Sequence, residues 1–390
     1  MTLIPVPAPD PGTAGPPRAY ARLRVDEPVV QARLANGETG WLLSRYDDVR
    51  AAFADPRLVR PLLSAWPVRE GAQPPACLPT FLEMTGGQHH RVRRAVLPLF
   101  TRPRLRFMVP RIRAIADGLV DVMTGAGTTA DLVPSFVEPL PLRVLCETVG
   151  LPYEDRDTFL PHTLTLLSAA GLPMDDVLAA LYALQDYASE LVSRKEHEPD
   201  DSYICLLLSR LTRDDVVSFV VTMLMAGYKT NIQHTGNALL VLLTHPGQLG
   251  LLRADPARIP TAVEELLRYV PLMNAINILV AQEDLTLRGR RIRAGDAVLP
   301  VIASANRDPA AFTDPDDLDL ARSPNPHTTF GRGPHHCTGA HLTRLQLTVA
   351  LEVLLRRLPG LQLDEPPDVI PWDESTPLRA PARLLVRWDR

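Results

Sequence analysis

The sequence predicts a mainly α protein, a single large helical domain with a minor β-sheet region. Three observations point there. Apolar residues recur at helical spacing through most of 89–358. Strand-like patterning is confined to two short stretches, 41–49 and 285–301. No internal repeat or sharp linker divides the chain, although 390 residues would allow two or three domains.

In chain order, residues 1–17 read as an irregular, Pro-rich arm, and 18–390 as one domain. Residues 41–49 end a small strand region, with Tyr46-Asp47-Asp48-Val49 turning into a helix. The charged segment 194–202 reads as a solvated loop. Thr212-Arg213-Asp214-Asp215 is a capping-box pattern, in which a hydroxyl and a carboxylate three residues apart satisfy each other's amides. It opens an apolar helix at Val216 that continues to about Thr244, where His245-Pro246-Gly247 stops it. A second helix is expected from about Pro260, a good first-turn residue, to Val270, ended by Pro271. Residues 285–301 alternate and carry Arg288-Gly289-Arg290, which suggests a short hairpin. A third helix begins near Cys337, with Leu342, Leu345, Val349 and Val353 as its buried stripe. Most of the 39 prolines fall singly between these segments, as boundaries and turns.

The composition narrows the function. Hydrophobic residues make up 46% and charged residues 22%, ordinary for a globular chain with a large core. A net charge of -4 gives no bulk attraction to nucleic acid or anionic lipid. The N-terminus has neither a basic region nor a continuous apolar stretch of signal-peptide type. The longest apolar run, 216–227, is interrupted by Ser218 and Thr222 and is too short to span a bilayer. A cytoplasmic protein without membrane or nucleic-acid partners is expected. Four cysteines stand far apart with no CxxC pair, which argues against a disulfide scaffold. Cys77, Cys146 and Cys205 have apolar neighbours and read as ordinary buried thiols.

The fourth cysteine differs. It lies in Phe330-Gly331-Arg332-Gly333-Pro334-His335-His336-Cys337-Thr338-Gly339-Ala340, a tight loop delivering Cys337 to the start of a helix. The helix N-terminus, Arg332 and the adjacent histidines all favour a thiolate. Amides beyond the cysteine can donate to its sulfur, and Gly339 leaves room for a flat group against the helix. Chemistry alone leaves a redox cysteine and a catalytic nucleophile equally possible, with an inert buried cysteine also open.

The loop resembles the haem-binding signature of the cytochromes P450, F-G-x-G-x-H-x-C-x-G. Phe330, Gly331, Gly333, His335, Cys337 and Gly339 fill every specified position. The resemblance implies haem b as cofactor, Cys337 as the iron's thiolate ligand and His335 as a donor to a haem propionate. Glu265-Leu266-Leu267-Arg268 resembles the family's E-x-x-R motif, and 305–309 its run before the cysteine loop. Glu265, Arg268 and Arg307 are then expected in a buried structural network. His89 to Arg93 resembles the H-x-x-x-R helix, which would put His89 and Arg93 on one face, toward the propionates. His90, Arg91 and Arg94 read as surface residues. Thr85-Gly86-Gly87 replaces the family's usual Asp-Pro-Pro before that helix. These motifs run in family order from about residue 40 to 360.

Two departures stand out. Ala226-Gly227-Tyr228-Lys229-Thr230 resembles the oxygen-binding stretch A-G-x-[D/E]-T, with Lys229 in place of the acid. In the family, acid and alcohol pass protons toward the oxygen being activated. Thr230 can still bond the carbonyl of Ala226 and open the helix. Lys229 either carries protons itself or faces solvent or an acidic partner and does no chemistry. The second departure is Leu279, where the family usually has a propionate-binding arginine. Either one propionate lacks its usual cation, or another arginine replaces it.

The resemblance implies a haem-thiolate monooxygenase of a small organic substrate, of the bacterial secondary-metabolism type. The substrate would lie against 226–230 and 272–279. Electrons would come from a ferredoxin and its reductase, docking on Arg93, Arg94, Arg332, His336 and Arg344. Lys229 motivates an alternative, oxidative coupling or ring closure of an aromatic or peptide-like substrate (a diketopiperazine, for example) without oxygen insertion. A peroxide-driven variant and a non-catalytic haem sensor are further alternatives.

Overall fold

The computed structural model describes residues 3–10, 12–34, 36–61, 77–169, 172–270, 272 and 277–390. Helices form most of it, around one large apolar core. The helix Val109–Ala126 buries Ile112, Ala116, Val120 and Met123, a stripe at helical spacing. It packs on the helix Ala340–Arg357, whose Leu342, Val349 and Val353 are buried as the sequence suggests. Leu345, expected in the same stripe, is only partly buried, and Arg344 beside it packs over Phe330.

A six-stranded sheet lies to one side, in the order Ile4–Pro5, Val29–Arg33, Thr39–Leu43, Ala297–Pro300, Leu279–Ala281, Leu58–Val59. The strand at 39–43 turns into the helix Tyr46–Ala54, as read from the sequence. The arm at 3–17 is tied down at both ends. Ile4–Pro5 pairs with Ala32–Arg33, and Arg379 donates to the carbonyls of Asp10 and Thr13. Leu285–Leu287 and Arg290–Ile292 form the expected hairpin. Arg288 and Gly289 at its tip have φ of 46° and 75°, the left-handed pair that two-residue hairpin turns require. The rest of 285–301 leaves the hairpin for the main sheet, where Trp41 stands opposite Val298.

Two expectations are corrected. Residues 194–197 finish the helix Met174–His197 and are not loop; Arg194, Lys195 and His197 suit the negative end of the helix dipole. The long helix is also two helices, Arg213–Ala226 and Lys229–Thr244. The capping box at Thr212 and Asp215 opens the first, with Arg91 ion-paired to Asp215. Thr230 Oγ1 takes the carbonyl of Ala226 at 2.7 Å, and Asn231 Nδ2 takes that of Gly227 at 2.8 Å. Side chains thus occupy the acceptors that the next helical amides would use, and the ladder breaks. The helix Ile259–Tyr269 starts one residue before Pro260. Pro271, expected to end it, and 273–276 of the expected substrate segment lie outside the described residues.

Candidate active site

Local backbone chemistry shapes the cysteine loop. Gly331 and Gly333 have φ of 69° and 74°, and a Cβ on Gly333 would lie 2.5 Å from the carbonyl oxygen of Phe53. Glycine is needed there for both conformation and space. The amide of Gly331 bonds Thr328 O at 2.8 Å, and that of Cys337 bonds Phe330 O at 2.9 Å. The helix follows three residues later, at Ala340. Of the four free cysteines, Cys337 is the exposed one. Cys146 is buried, as expected; Cys77 and Cys205 are only half-buried, and Cys205 bonds Asp200.

The protein around Cys337 deprives an anion of hydration and raises the thiol's pKa. The Gly339 amide and the charges of Arg60, Arg93 and Arg344 pull it back down. Arg60, Arg93 and Arg344 therefore take the part expected of Arg332, which is exposed. A Cβ on Gly339 would meet only the Cys337 sulfur, at 4.0 Å, so that face of the loop is open. Phe330 lies beneath Arg344, whose guanidinium is 4.5 Å from the ring centroid. Arg344 also grips Glu264, Nε to Oε1 at 2.6 Å and Nη2 to Oε2 at 2.9 Å.

His89 and His335 stack with ring centroids 4.2 Å apart, and Phe81 covers His89 at 5.4 Å. Burial, then the neighbouring cations and histidines, lowers both pKa values, to about 4 for His89 and about 3 for His335. Arg93 binds the loop itself, Nη2 to His336 O at 2.8 Å and Nη1 to Thr338 Oγ1 at 3.3 Å. His90, Arg91 and Arg94 are exposed, as expected. Arg60 has a buried Nε with no hydrogen-bond partner. Among the described residues, none of the groups acting on Arg60, His89, Arg93 or His335 is a carboxylate. Buried donors without an anion beside a free thiol fit a group that brings carboxylates and a metal, as haem does.

On the broken helix, Ala226, Gly227 and Thr230 are half-buried, whereas Lys229 is buried. A Cβ on Gly227 would come within 2.7 Å of Leu145 Cδ1, so glycine lets the helix Pro139–Val149 approach closely. Lys229 Nζ bonds Asp373 Oδ2 at 2.7 Å. Gln233 and Asn237, four and eight residues on, donate to the carbonyls of Leu378 and Arg379. Lys229 therefore lies on the helix face that holds the loop 372–381, and it has an acidic partner. The ion pair gives Lys229 the acidic partner that was one of its two expected roles.

Glu265 and Arg268 are both fully buried and pair through two 2.8 Å bonds. Arg307 joins them indirectly, sharing the Pro315 carbonyl with Arg268 and stacking 3.8 Å from the Tyr269 centroid. Arg322 also grips Glu265, at 3.1 and 3.2 Å. Sequence reading missed Arg60, Arg322 and Asp373, which no motif marks.

The comparisons agree with this geometry. A cytochrome P450 family model matches residues 259–382. The chain is 39% identical to nocardicin C N-oxygenase of Nocardia uniformis subsp. tsuyamanensis, over 95% of this chain and 94% of that protein. It is 40% identical to mycinamicin IV hydroxylase/epoxidase of Micromonospora griseorubida, over 95% and 94%. The solved LnmA cytochrome P450 hydroxylase of Streptomyces atroolivaceus superposes with a TM-score of 0.88 at 38% identity, covering 99% of this chain and all of that one. The chain belongs to the cytochrome P450 family, an oxidoreductase class with a haem-thiolate iron cofactor. Among the described residues no helix is long and apolar enough to cross a membrane.

Proposed function

We propose that the chain holds haem b through Cys337 and inserts one oxygen atom of dioxygen into a small secondary metabolite. The observation that carries this is the exposed Cys337 thiol in a complete signature loop, beside Arg60, whose buried Nε has no partner among the described residues. When bound, the group supplies dioxygen activation, with the thiolate pushing electron density onto the iron. The remaining roles belong to this chain. The Gly339 amide, Arg60, Arg93 and Arg344 stabilise the sulfur anion. His89 and His335 would supply ring donors for the propionates, and Arg93 fixes the loop that carries the sulfur.

Thr230 keeps a hydroxyl at the helix break, bonded to the Ala226 carbonyl and able to hold a proton there. Lys229 is a positioning residue for the loop 372–381. Relatives named for oxidising nocardicin and mycinamicin support a bacterial natural product as substrate. A ferredoxin and its reductase, in the cytoplasm, are the proposed electron source. Arg94, Arg332 and His336 remain exposed for docking, whereas Arg93 and Arg344 are engaged within the chain.

Cys337→Ala tests the assignment. The variant should lose the reduced carbon-monoxide spectrum of a thiolate-ligated haem, and its persistence would refute the role. Labelled dioxygen tests the reaction: product carrying one labelled atom supports monooxygenation, and unlabelled product overturns it.

A further inference from the structure

Leu58–Val59 pairs antiparallel with Leu279–Ala281, Leu58 opposite Ala281 and Val59 opposite Val280. One step along this register, Arg60 stands opposite Leu279. Directly opposed residues of an antiparallel pair share a face of the sheet, with Cβ atoms about 5 Å apart. Leu58, Leu279 and Ala281 pack in one apolar cluster, so Arg60, two residues after Leu58, projects on that same side. The cluster also contains Val49 and Ala52 with Phe53 packed on it, the helix whose end meets Gly333 of the cysteine loop. Arg60 is thus directed toward the loop. Its charge acts on His89, His335 and Cys337. Among the described residues it makes no hydrogen bond or ion pair, and its Nε is buried without a partner. A half-buried guanidinium whose buried Nε has no acceptor is costly unless a ligand supplies one.

We propose that Arg60 is the propionate-binding cation of this enzyme, supplied across the strand pair in place of the arginine that Leu279 lacks. A guanidinium matches a carboxylate in two parallel bonds, and moving it to the neighbouring strand displaces its root by one strand spacing. The inference rests on the haem assignment to Cys337.

Haem transfer from the ferric holoenzyme to excess apomyoglobin tests it, read together with the reduction potential. Arg60→Leu should release haem about tenfold faster, the scale of one lost charge-assisted hydrogen bond. Its potential should fall, because a cation near the haem favours the reduced iron. Arg60→Lys should lie between the two. The decisive variant is Arg60→Leu/Leu279→Arg, which should recover slow release and the higher potential; a merely structural role for Arg60 predicts no such recovery. Should Arg60→Leu fail to load haem, the double variant should load it, and failure of both overturns the proposal. Wild-type release and potential in Arg60→Leu, with a normal reduced carbon-monoxide spectrum, overturns this proposal alone. A wild-type protein without that spectrum overturns the haem assignment and this proposal with it.

Discussion

Lys229 stands where the family has a carboxylate, and its ammonium is 2.7 Å from Asp373 with both side chains mostly buried. A partly buried pair loses stability when either member is removed, because the other is left with its desolvation. Lys229→Gln and Asp373→Asn should each cost about 1–3 kcal/mol in denaturant unfolding, and the double variant less than their sum. The yield of product per reductant should stay at the wild-type value in Lys229→Gln; a fall would assign the lysine to proton supply. Thr230 behaves oppositely. Thr230→Ala removes the hydroxyl at the helix break, so reductant should be consumed with less of it appearing in product. Unchanged coupling in that variant would remove Thr230 from the chemistry. The threonine was legible in the sequence because its partner, Ala226, is four residues away. Asp373 was not, because it lies 144 residues from Lys229 and only tertiary closure brings them together.

Among the elements, the helix Ile259–Tyr269 joins the cysteine loop to the helix behind it. Glu264 receives His327 at 3.1 Å and Arg344 at 2.6 Å. Burial alone would raise its pKa, but these bonds bring it from the ordinary 4.5 to about 2. The folded value lies below the unfolded one. Its contribution is therefore complete above about pH 4.5 and disappears as the pH falls toward about 2. Unfolding measured across that window should show the stability gap between wild type and Glu264→Gln closing with acid. A gap independent of pH would mean that the charge does not join the two helices. Element boundaries were less legible than element types. The split at 226–229 depends on Thr230 and Asn231 both turning inward to carbonyls, which helical periodicity does not record.

At the scale of the molecule, Glu265 is a hub. Arg268, Arg322, Asn325 and the amide of Asp319 all donate to its carboxylate, gathering 265–325 onto one buried charge. Glu265→Ala leaves Arg268 buried and uncompensated, a cost of about 3–5 kcal/mol. Purified variant with wild-type stability and full haem content would show that the network is dispensable. The E-x-x-R spacing made the first pair legible, whereas Arg322 and Arg60 reach their sites from segments with no motif.

The loop 372–381 is also clasped through its backbone. Gln233 and Asn237 hold it by the carbonyls of Leu378 and Arg379, groups that every amino acid carries. Such a grip is blind to side-chain identity. Substitution at Pro377 or Leu378 therefore leaves both bonds intact, and its cost falls on packing, because the Leu378 side chain is buried.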